Sequence, residues 1–266
     1  MRSERTTTLL DTDPHPFDDW FRVLAAEQRL AAEQVRQLHE DGFIVTAGPV
    51  APLDLSRLST AYDAAMASAA PEDVKVSKST RVQDFVNRGP EFDPIYLHEP
   101  LLGACCSVIG RPFKLSTMQA RTLGPGTPDQ GLHVDVPHGS ADWPLVGFIL
   151  MVDAFAADNG ATRFVPGSHR TPTTPEEVME DPTLNVDGQV LACGPAGSMI
   201  VFNGSTWHGH SANRSARRRR SIQGAFIPRE GRQGLDQAAR IRAETLLRLG
   251  PLARYLLDLP GSGRPK

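Results

Sequence analysis

The chain has 266 residues, 40% of them hydrophobic and 22% charged, enough apolar material for a full core in one elaborated domain. A formal net charge of −3 offers no global attraction to nucleic acid or to an anionic membrane, and no apolar run approaches the roughly 18–20 residues of a membrane span. The first residues, Met1-Arg2-Ser3-Glu4-Arg5-Thr6, lack the apolar stretch of a secretory signal, and Cys105, Cys106 and Cys193 make no disulfide framework, so a cytoplasmic setting is expected.

Residues 1–25 read as a loosely packed tail and residues 26–110 as a helical part. Ala31 to Gly42 has the pattern of an amphipathic helix that Gly42 stops, and Phe43-Ile44-Val45 reads as a strand. Leu55, Leu58, Tyr62, Ala65, Met66 and Ala69 recur at three- and four-residue steps, which predicts a second helix with one apolar face. A third helix is expected from Pro94 to Val108, with Cys105 and Cys106 as small buried residues.

After Gly110 the texture changes to short apolar runs divided by glycine and proline. The strand candidates are Phe113–Leu123, Leu145–Phe155, Ala161–Val165, Gly197–Phe202 and Arg219–Pro228. Strands without intervening helices argue for antiparallel sheets. The expected fold is therefore mainly β with flanking helices, a cupin-like jelly roll (double-stranded β-helix) over 111–230. Residues 231–266 would supply a last helix, Leu235 to Leu249, and a tail. With no repeat and no linker, 1–266 reads as a single domain.

Two separated motifs carry the chemistry. His133 and Asp135 are two residues apart, so on an extended backbone both side chains leave the same face. Alone the pattern is weak, because a chain with eight histidines produces it readily by chance. His208, far along the chain, adds a second imidazole from another strand. Two imidazoles and one carboxylate are the facial set that holds a non-haem Fe(II) and leaves positions open for oxygen and a co-substrate.

Arg219 follows His208 by eleven residues. Strand parity puts it on one face with Ser221, Gln223 and Ala225, while Ile222 and Phe226 take the other. Inside a barrel it would need an anionic partner, since a buried unpaired guanidinium is costly. A dicarboxylate co-substrate meets that need with two parallel hydrogen bonds. Arg217, Arg218 and Arg220 read as a solvated basic run, with Arg218 or Arg220 as the anchor if the register shifts by one. His210 reads as a loop histidine near the site and His138 as a weaker competitor. His15, His39 and His98 read as surface or packing residues.

Longer motifs then match a family pattern in order. They are Glu40-Asp41-Gly42-Phe43-Ile44-Val45, Pro125-Gly126 with Gln130-Gly131-Leu132-His133-Val134-Asp135, Asp158-Asn159-Gly160-Ala161-Thr162-Arg163-Phe164-Val165-Pro166-Gly167-Ser168-His169-Arg170, and Trp207-His208-Gly209 through Asn213-Arg214-Ser215 to Arg219. On these the chain resembles the phytanoyl-CoA dioxygenase family of Fe(II)/2-oxoglutarate-dependent oxygenases, in particular its natural-product hydroxylase branch.

The resemblance implies that His133, Asp135 and His208 bind iron, that Arg219 anchors the distal carboxylate of 2-oxoglutarate, and that O2 is the other reactant. It implies that Gln119 and Thr162 lie beside the co-substrate, with Arg121 on the same strand face as Gln119. The Pro166-Gly167-Ser168-His169 turn reads as structural. Halogenating relatives carry a small residue in place of the carboxylate, so Asp135 argues against halogenation. The implied reaction oxidises an unactivated C–H bond of a small molecule, in secondary metabolism or, as the alternative, as an acyl-CoA hydroxylase of lipid metabolism. A zinc hydrolase built on the same triad and a non-catalytic jelly-roll binding protein are the rivals from other classes. Loop-like runs at Val82–Asn87 and His138–Trp143 are expected to border the substrate pocket. No nucleic-acid or membrane partner is expected, and no oligomeric state is implied.

Overall fold

The computed structural model describes residues 16–141, 143–263 and 265. Ten strands form two antiparallel sheets. They are β1 (Phe43–Ala47), β2 (Val74–Val76), β3 (Thr80–Val82), β4 (Phe113–Leu123), β5 (Val146–Met151), β6 (Thr162–Phe164), β7 (Val190–Ala192), β8 (Ser198–Asn203), β9 (His208–His210) and β10 (Arg219–Pro228). The large sheet runs β1-β8-β5-β10-β4-β3-β2 and the small one β7-β6-β9, the two-layer arrangement expected of a jelly roll.

The long strands β4 and β10 coincide with the predicted runs, because alternation over ten or more residues is a strong signal. Four strands went unpredicted: β2, β3, β7 and β9 have three residues each, too few to show a period. The large sheet therefore takes three of its strands from the part expected to be helical.

Helices α1 (Pro16–Ala26), α2 (Ala32–Asp41), α3 (Leu55–Ala67), α4 (Asp93–Tyr96) and α5 (Glu99–Val108) precede β4. The loose tail expected over 1–25 is corrected from residue 16 onward, the earlier residues lying outside the described ones. Trp20 of α1 stacks on Tyr255 at 5.7 Å and donates from Nε1 to the Gly263 carbonyl, and Leu24 is buried. Gly42 ends α2 at φ +85°, where any side chain would run into Thr206 and His169.

The third helix is interrupted. Pro100 cannot donate within the first turn of α5, so the chain breaks at Leu97-His98 between α4 and α5. The last predicted helix, Leu235 to Leu249, is corrected to two short ones, α7 (Gln237–Arg240) and α8 (Ala243–Arg248), and the expected tail holds a third, α9 (Pro251–Leu256), a further short helix α6 (Pro175–Val178) lying earlier. Asn87 causes the first break: its amide donates to the Arg240 carbonyl at 3.0 Å and its oxygen accepts from the Arg242 N–H at 3.0 Å. Gly250-Pro251 makes the second.

The outer face of the large sheet packs Leu115, Val146, Leu150, Val201, Ile222 and Phe226 against Leu38, Leu58, Tyr62, Leu101 and Leu102 of the helices. Between the sheets a smaller apolar cluster includes Phe43, Ile149, Met151, Phe155, Phe164, Ile200 and Phe202. Ile222 and Phe226 thus face the helices, as parity requires, and Arg219, Gln223 and Ala225 face the cavity between the layers. Gly147 is required where the Phe202 ring crosses β5, since a Cβ there would overlap the ring.

Candidate active site

His133 and His208 meet through the backbone. They exchange both N–H···O bonds at 3.0 Å, an isolated antiparallel bridge that sets the two residues directly opposite one another. Their rings stand 4.4 Å apart between centroids. Asp135 lies in a bend two residues on, where its N–H donates to the Gly204 carbonyl at 2.8 Å. One ligand atom from each of His133, Asp135 and His208 falls within 4.8 Å of the others. The His208 Nε2 to Asp135 Oδ1 distance is 3.8 Å.

Backbone carbonyls define the imidazole tautomers. Nδ1 of His133 lies 3.0 Å from the Gly131 carbonyl, and Nδ1 of His208 lies 2.8 Å from the Thr206 carbonyl. A carbonyl only accepts, so both Nδ1 atoms carry the proton and both Nε2 atoms keep their lone pairs, that of His133 lying 3.4 Å from the Gln130 amide nitrogen, which an ion would have to displace. Burial, and then the neighbouring His208, push the His133 pKa down to about 4, so the ring is neutral at physiological pH. Phe164 and Phe202 pack against the His208 ring.

A cavity of about 440 Å³ opens over this cluster, lined by all three residues and by Gln119, Arg121, Gln130, Thr162 and Arg219. Arg219 is 2% exposed. Its guanidinium lies 4.1 Å above the Phe155 ring centroid, Nη1 donates to Ser221 Oγ at 3.1 Å, and Nε has no hydrogen-bond partner. Burial, reinforced by the charge of Arg121, drives its pKa down to about 9.

The neighbouring arginines are engaged elsewhere. Arg220 forms a two-pronged pair with Asp153 at 3.0 and 2.7 Å and reaches Asp63 at 3.0 Å. Arg218 reaches Asp63 at 2.9 Å from the surface. Of the four only Arg219 lines the cavity, and Arg220 is half-buried and paired rather than solvated.

Gln119 and Thr162 line the same cavity, and their side chains make no hydrogen bond among the described residues. His210, expected in a loop, lies on β9 and also lines the cavity; burial, then Arg121, push its pKa down to about 3. The Ser168 hydroxyl donates to the Val165 carbonyl and accepts from the Trp207 N–H, so the Pro166–His169 turn acts structurally.

Two expected wall segments are corrected. Val82, Phe85 and Val86 are buried in the outer apolar core, and Arg81 just before them is what reaches the cavity. No described residue of 138–143 lines it, Asp142 lying outside the described residues; the wall there begins at Leu145.

Gln130 was quoted only within a motif, yet it joins the site. Its Oε1 accepts from Arg121 at 3.2 Å, and its amide nitrogen lies 3.4 Å from Nε2 of His133. Arg163 holds that loop in place. Its two terminal nitrogens donate to the carbonyls of Gln130, Pro182 and Leu184 at 2.9–3.1 Å and to Asn185 Oδ1 at 3.3 Å. A buried cation pointing away from the cavity leaves no local trace in the sequence.

Comparisons with known proteins agree with this geometry. Dioxygenase aneA of Aspergillus aculeatus is 33% identical over 146 residues, which span 49% of this chain and 48% of that protein. Multifunctional dioxygenase prhA of Penicillium brasilianum is 28% identical over 220 residues, or 75% and 73% of the two chains. The fold matches HygX from Streptomyces hygroscopicus, a structure with nickel and 2-oxoglutarate bound, at a TM-score of 0.64 and 16% identity over 77% of this chain and 89% of that one. The family model described as phytanoyl-CoA dioxygenase (PhyH) matches residues 38–221, from the end of α2 to the start of β10. That match covers well over half of the sequence and contains His133, Asp135, His208 and Arg219. The chain belongs to the phytanoyl-CoA dioxygenase family, a family of Fe(II)- and 2-oxoglutarate-dependent oxygenases.

Proposed function

We propose that the protein is an Fe(II)- and 2-oxoglutarate-dependent oxygenase that oxidises an unactivated C–H bond of a small molecule in natural-product biosynthesis. His133, Asp135 and His208 hold the iron, and Arg219 anchors the distal carboxylate of 2-oxoglutarate beside Gln119 and Thr162. One observation carries the reading. A buried guanidinium lacking a carboxylate partner faces the same cavity as a His/Asp/His cluster. A zinc hydrolase gives Arg219 no purpose, and a non-catalytic binding protein gives none to the His/Asp/His cluster.

The donor set fits both groups. Two unprotonated imidazole nitrogens and a carboxylate on one side suit a ferrous ion that keeps open positions. The guanidinium of Arg219, whose Nη1 donates to Ser221 and whose Nε has no partner, suits a planar carboxylate. When bound, iron and 2-oxoglutarate supply the oxidative decarboxylation and the oxidising equivalent that attacks the C–H bond. The protein's own residues do the positioning. The carbonyls of Gly131 and Thr206 keep protons on the two Nδ1 atoms, and Phe164 and Phe202 hold the His208 ring. Leu145, Phe148 and Ile149 give the cavity an apolar wall against which a hydrocarbon frame can lie.

HygX has been solved with iron, and with nickel, 2-oxoglutarate and hygromycin B together, which supports a small molecule as the third occupant here. We also read the chain as one oxygenase domain, with helices from 26–110 and 231–266 packed on a core over 111–230. Among the described residues no helix is long and apolar enough to cross a membrane. The test is incubation with Fe(II), 2-oxoglutarate and a metabolite library, reading succinate release. Succinate stimulated by a library member, and only with both iron and 2-oxoglutarate present, is the expected result. Turnover supported by zinc without 2-oxoglutarate would overturn it.

A further inference from the structure

Five of the ten buried or half-buried arginines among the described residues have an acidic partner, Arg29 with Glu27 being one. Arg88 pairs with Asp73 at 2.7 Å, Arg220 with Asp153 at 2.7 Å, Arg229 with Asp258 at 2.7 Å and Arg248 with Asp93 at 2.7 Å. Arg163, the structural clamp, leaves its Nε without a partner but donates from both terminal nitrogens to oxygens of the loops it ties, and Arg254 donates to the Leu249 and Leu246 carbonyls. The arginines lining the cavity differ. Besides Arg219 they are Arg81 on β3 and Arg121 on β4, direct partners in the antiparallel register of the two strands.

Like charges directly opposite on a sheet repel. Arg121 is 9% exposed, and its side-chain bonds go only to neutral oxygens, Ser79 Oγ at 3.2 Å and Gln130 Oε1 at 3.2 Å. Burial and then the charge of Arg81 drive its pKa down to about 9. The Arg81 side chain makes no hydrogen bond and no ion pair among the described residues, and its Nε is buried without a partner.

We propose that Arg81 and Arg121 form an anion-binding subsite that takes a carboxylate or phosphate carried by the primary substrate. The inference rests on the oxygenase reading above. Three guanidiniums and one carboxylate line the cavity, an excess of two positive charges. A ferrous ion and the 2-oxoglutarate dianion cancel each other and leave that excess intact. In that reading Arg219 and the metal occupy both carboxylates of the co-substrate, so the anion that answers Arg81 and Arg121 comes from another molecule. Arg219 is buried to 2% exposure and Arg121 to 9%, while Arg81 is only half-buried, so solvent reaches the pair through Arg81 more readily than it reaches Arg219. Paired guanidiniums suit the two oxygens of a carboxylate or the three of a phosphate.

The test uses the full chain loaded with nickel, a redox-inert substitute for iron, and saturated with 2-oxoglutarate. Inorganic phosphate is the probe, titrated by calorimetry at constant ionic strength. Phosphate is expected to bind the wild type without displacing 2-oxoglutarate. Arg81→Gln is expected to weaken phosphate about tenfold or more while changing 2-oxoglutarate affinity less than twofold. Arg81→Lys keeps the charge at a half-buried position and guards against a folding artefact; it should bind phosphate better than Arg81→Gln. In the library assay, acids should stimulate succinate release and their methyl esters should not.

Absence of phosphate binding, equal binding by Arg81→Gln, or turnover of esters as fast as acids would overturn the proposal. A tenfold loss of 2-oxoglutarate affinity in Arg81→Gln would assign the pair to the co-substrate instead. Failure of the oxygenase reading looks different: the nickel-loaded wild type would then bind no 2-oxoglutarate at all.

Discussion

Replacing Arg219 by methionine separates function from stability. In the ligand-free fold the guanidinium is buried, with one hydrogen bond to Ser221 and one face on Phe155. Burying a cation costs several kcal/mol even after relaxation. Against that stand about 2 kcal/mol from a desolvated ring contact and about 1.5–3 kcal/mol from one charged hydrogen bond. The balance is unfavourable by roughly 1 kcal/mol or more. Methionine keeps an unbranched stem, and its sulfur packs well on an aromatic ring. Arg219→Met should therefore raise the melting temperature of the metal-free protein by about 2–4 °C, the shift expected per kcal/mol in a chain of this size. The same change removes both hydrogen bonds to the co-substrate carboxylate, so 2-oxoglutarate affinity should fall by about 100-fold or more. Scanning calorimetry of the metal-free protein and titration of 2-oxoglutarate into the nickel-loaded form read the two effects. A variant that melts several degrees lower and still binds 2-oxoglutarate normally would show that Arg219 is a structural residue and refute the assignment.

Three other outcomes are expected. Asp135 has a side chain about a third exposed, so Asp135→Gly should fold normally yet lose metal affinity by more than the roughly 10–100-fold typical of outer-shell changes, and lose hydroxylation with it; full iron content by elemental analysis would mean another ligand set. Arg163→Met should leave the carbonyls of Gln130, Pro182 and Leu184 unpaired, costing about 3 kcal/mol and weakening metal binding through the loop that carries His133; wild-type melting and wild-type metal affinity together would refute this. Burial holds the pKa of His169 below the ordinary histidine value, and burial does the same at His98. Below about pH 6.5 the unfolded chain takes up protons that these folded imidazoles refuse. Their contribution to stability is therefore present above that value and lost as the pH falls, by at most about 1.4 kcal/mol per pH unit for each. Urea midpoints between pH 7.5 and 5 should fall less steeply for His169→Gln; an unchanged slope would remove His169 from the account.

The His/Asp/His cluster was legible because its chemistry is written in residue types. His133 and Asp135 are near neighbours, and the second imidazole is followed by an arginine on a clearly alternating strand. The strands β4 and β10 were legible for the same reason, length enough to show a period. Of the three-residue strands only β6, inside the run Ala161–Val165, was predicted, and helix breaks imposed from outside were not. Nothing between Leu235 and Leu249 announces that Asn87, some 150 residues earlier, captures both sides of the Ile241 break. The cavity wall was misplaced for a related reason. Val82–Asn87 is irregular like a loop, but its apolar side chains found the outer core.

By itself the sequence determined the class of chemistry, the order of the sheet-forming runs and the face on which each long strand is polar, since these depend on residue type and local period. The tertiary structure alone decided which arginine of 217–220 is buried in the cavity without an acidic partner, that Arg81 meets Arg121 across a register pair, and that Arg163 clamps the Gln130 loop. Those facts depend on which charges are desolvated together and which find a partner. Burial and pairing are properties of contacts between distant segments, and no local stretch of residues encodes them.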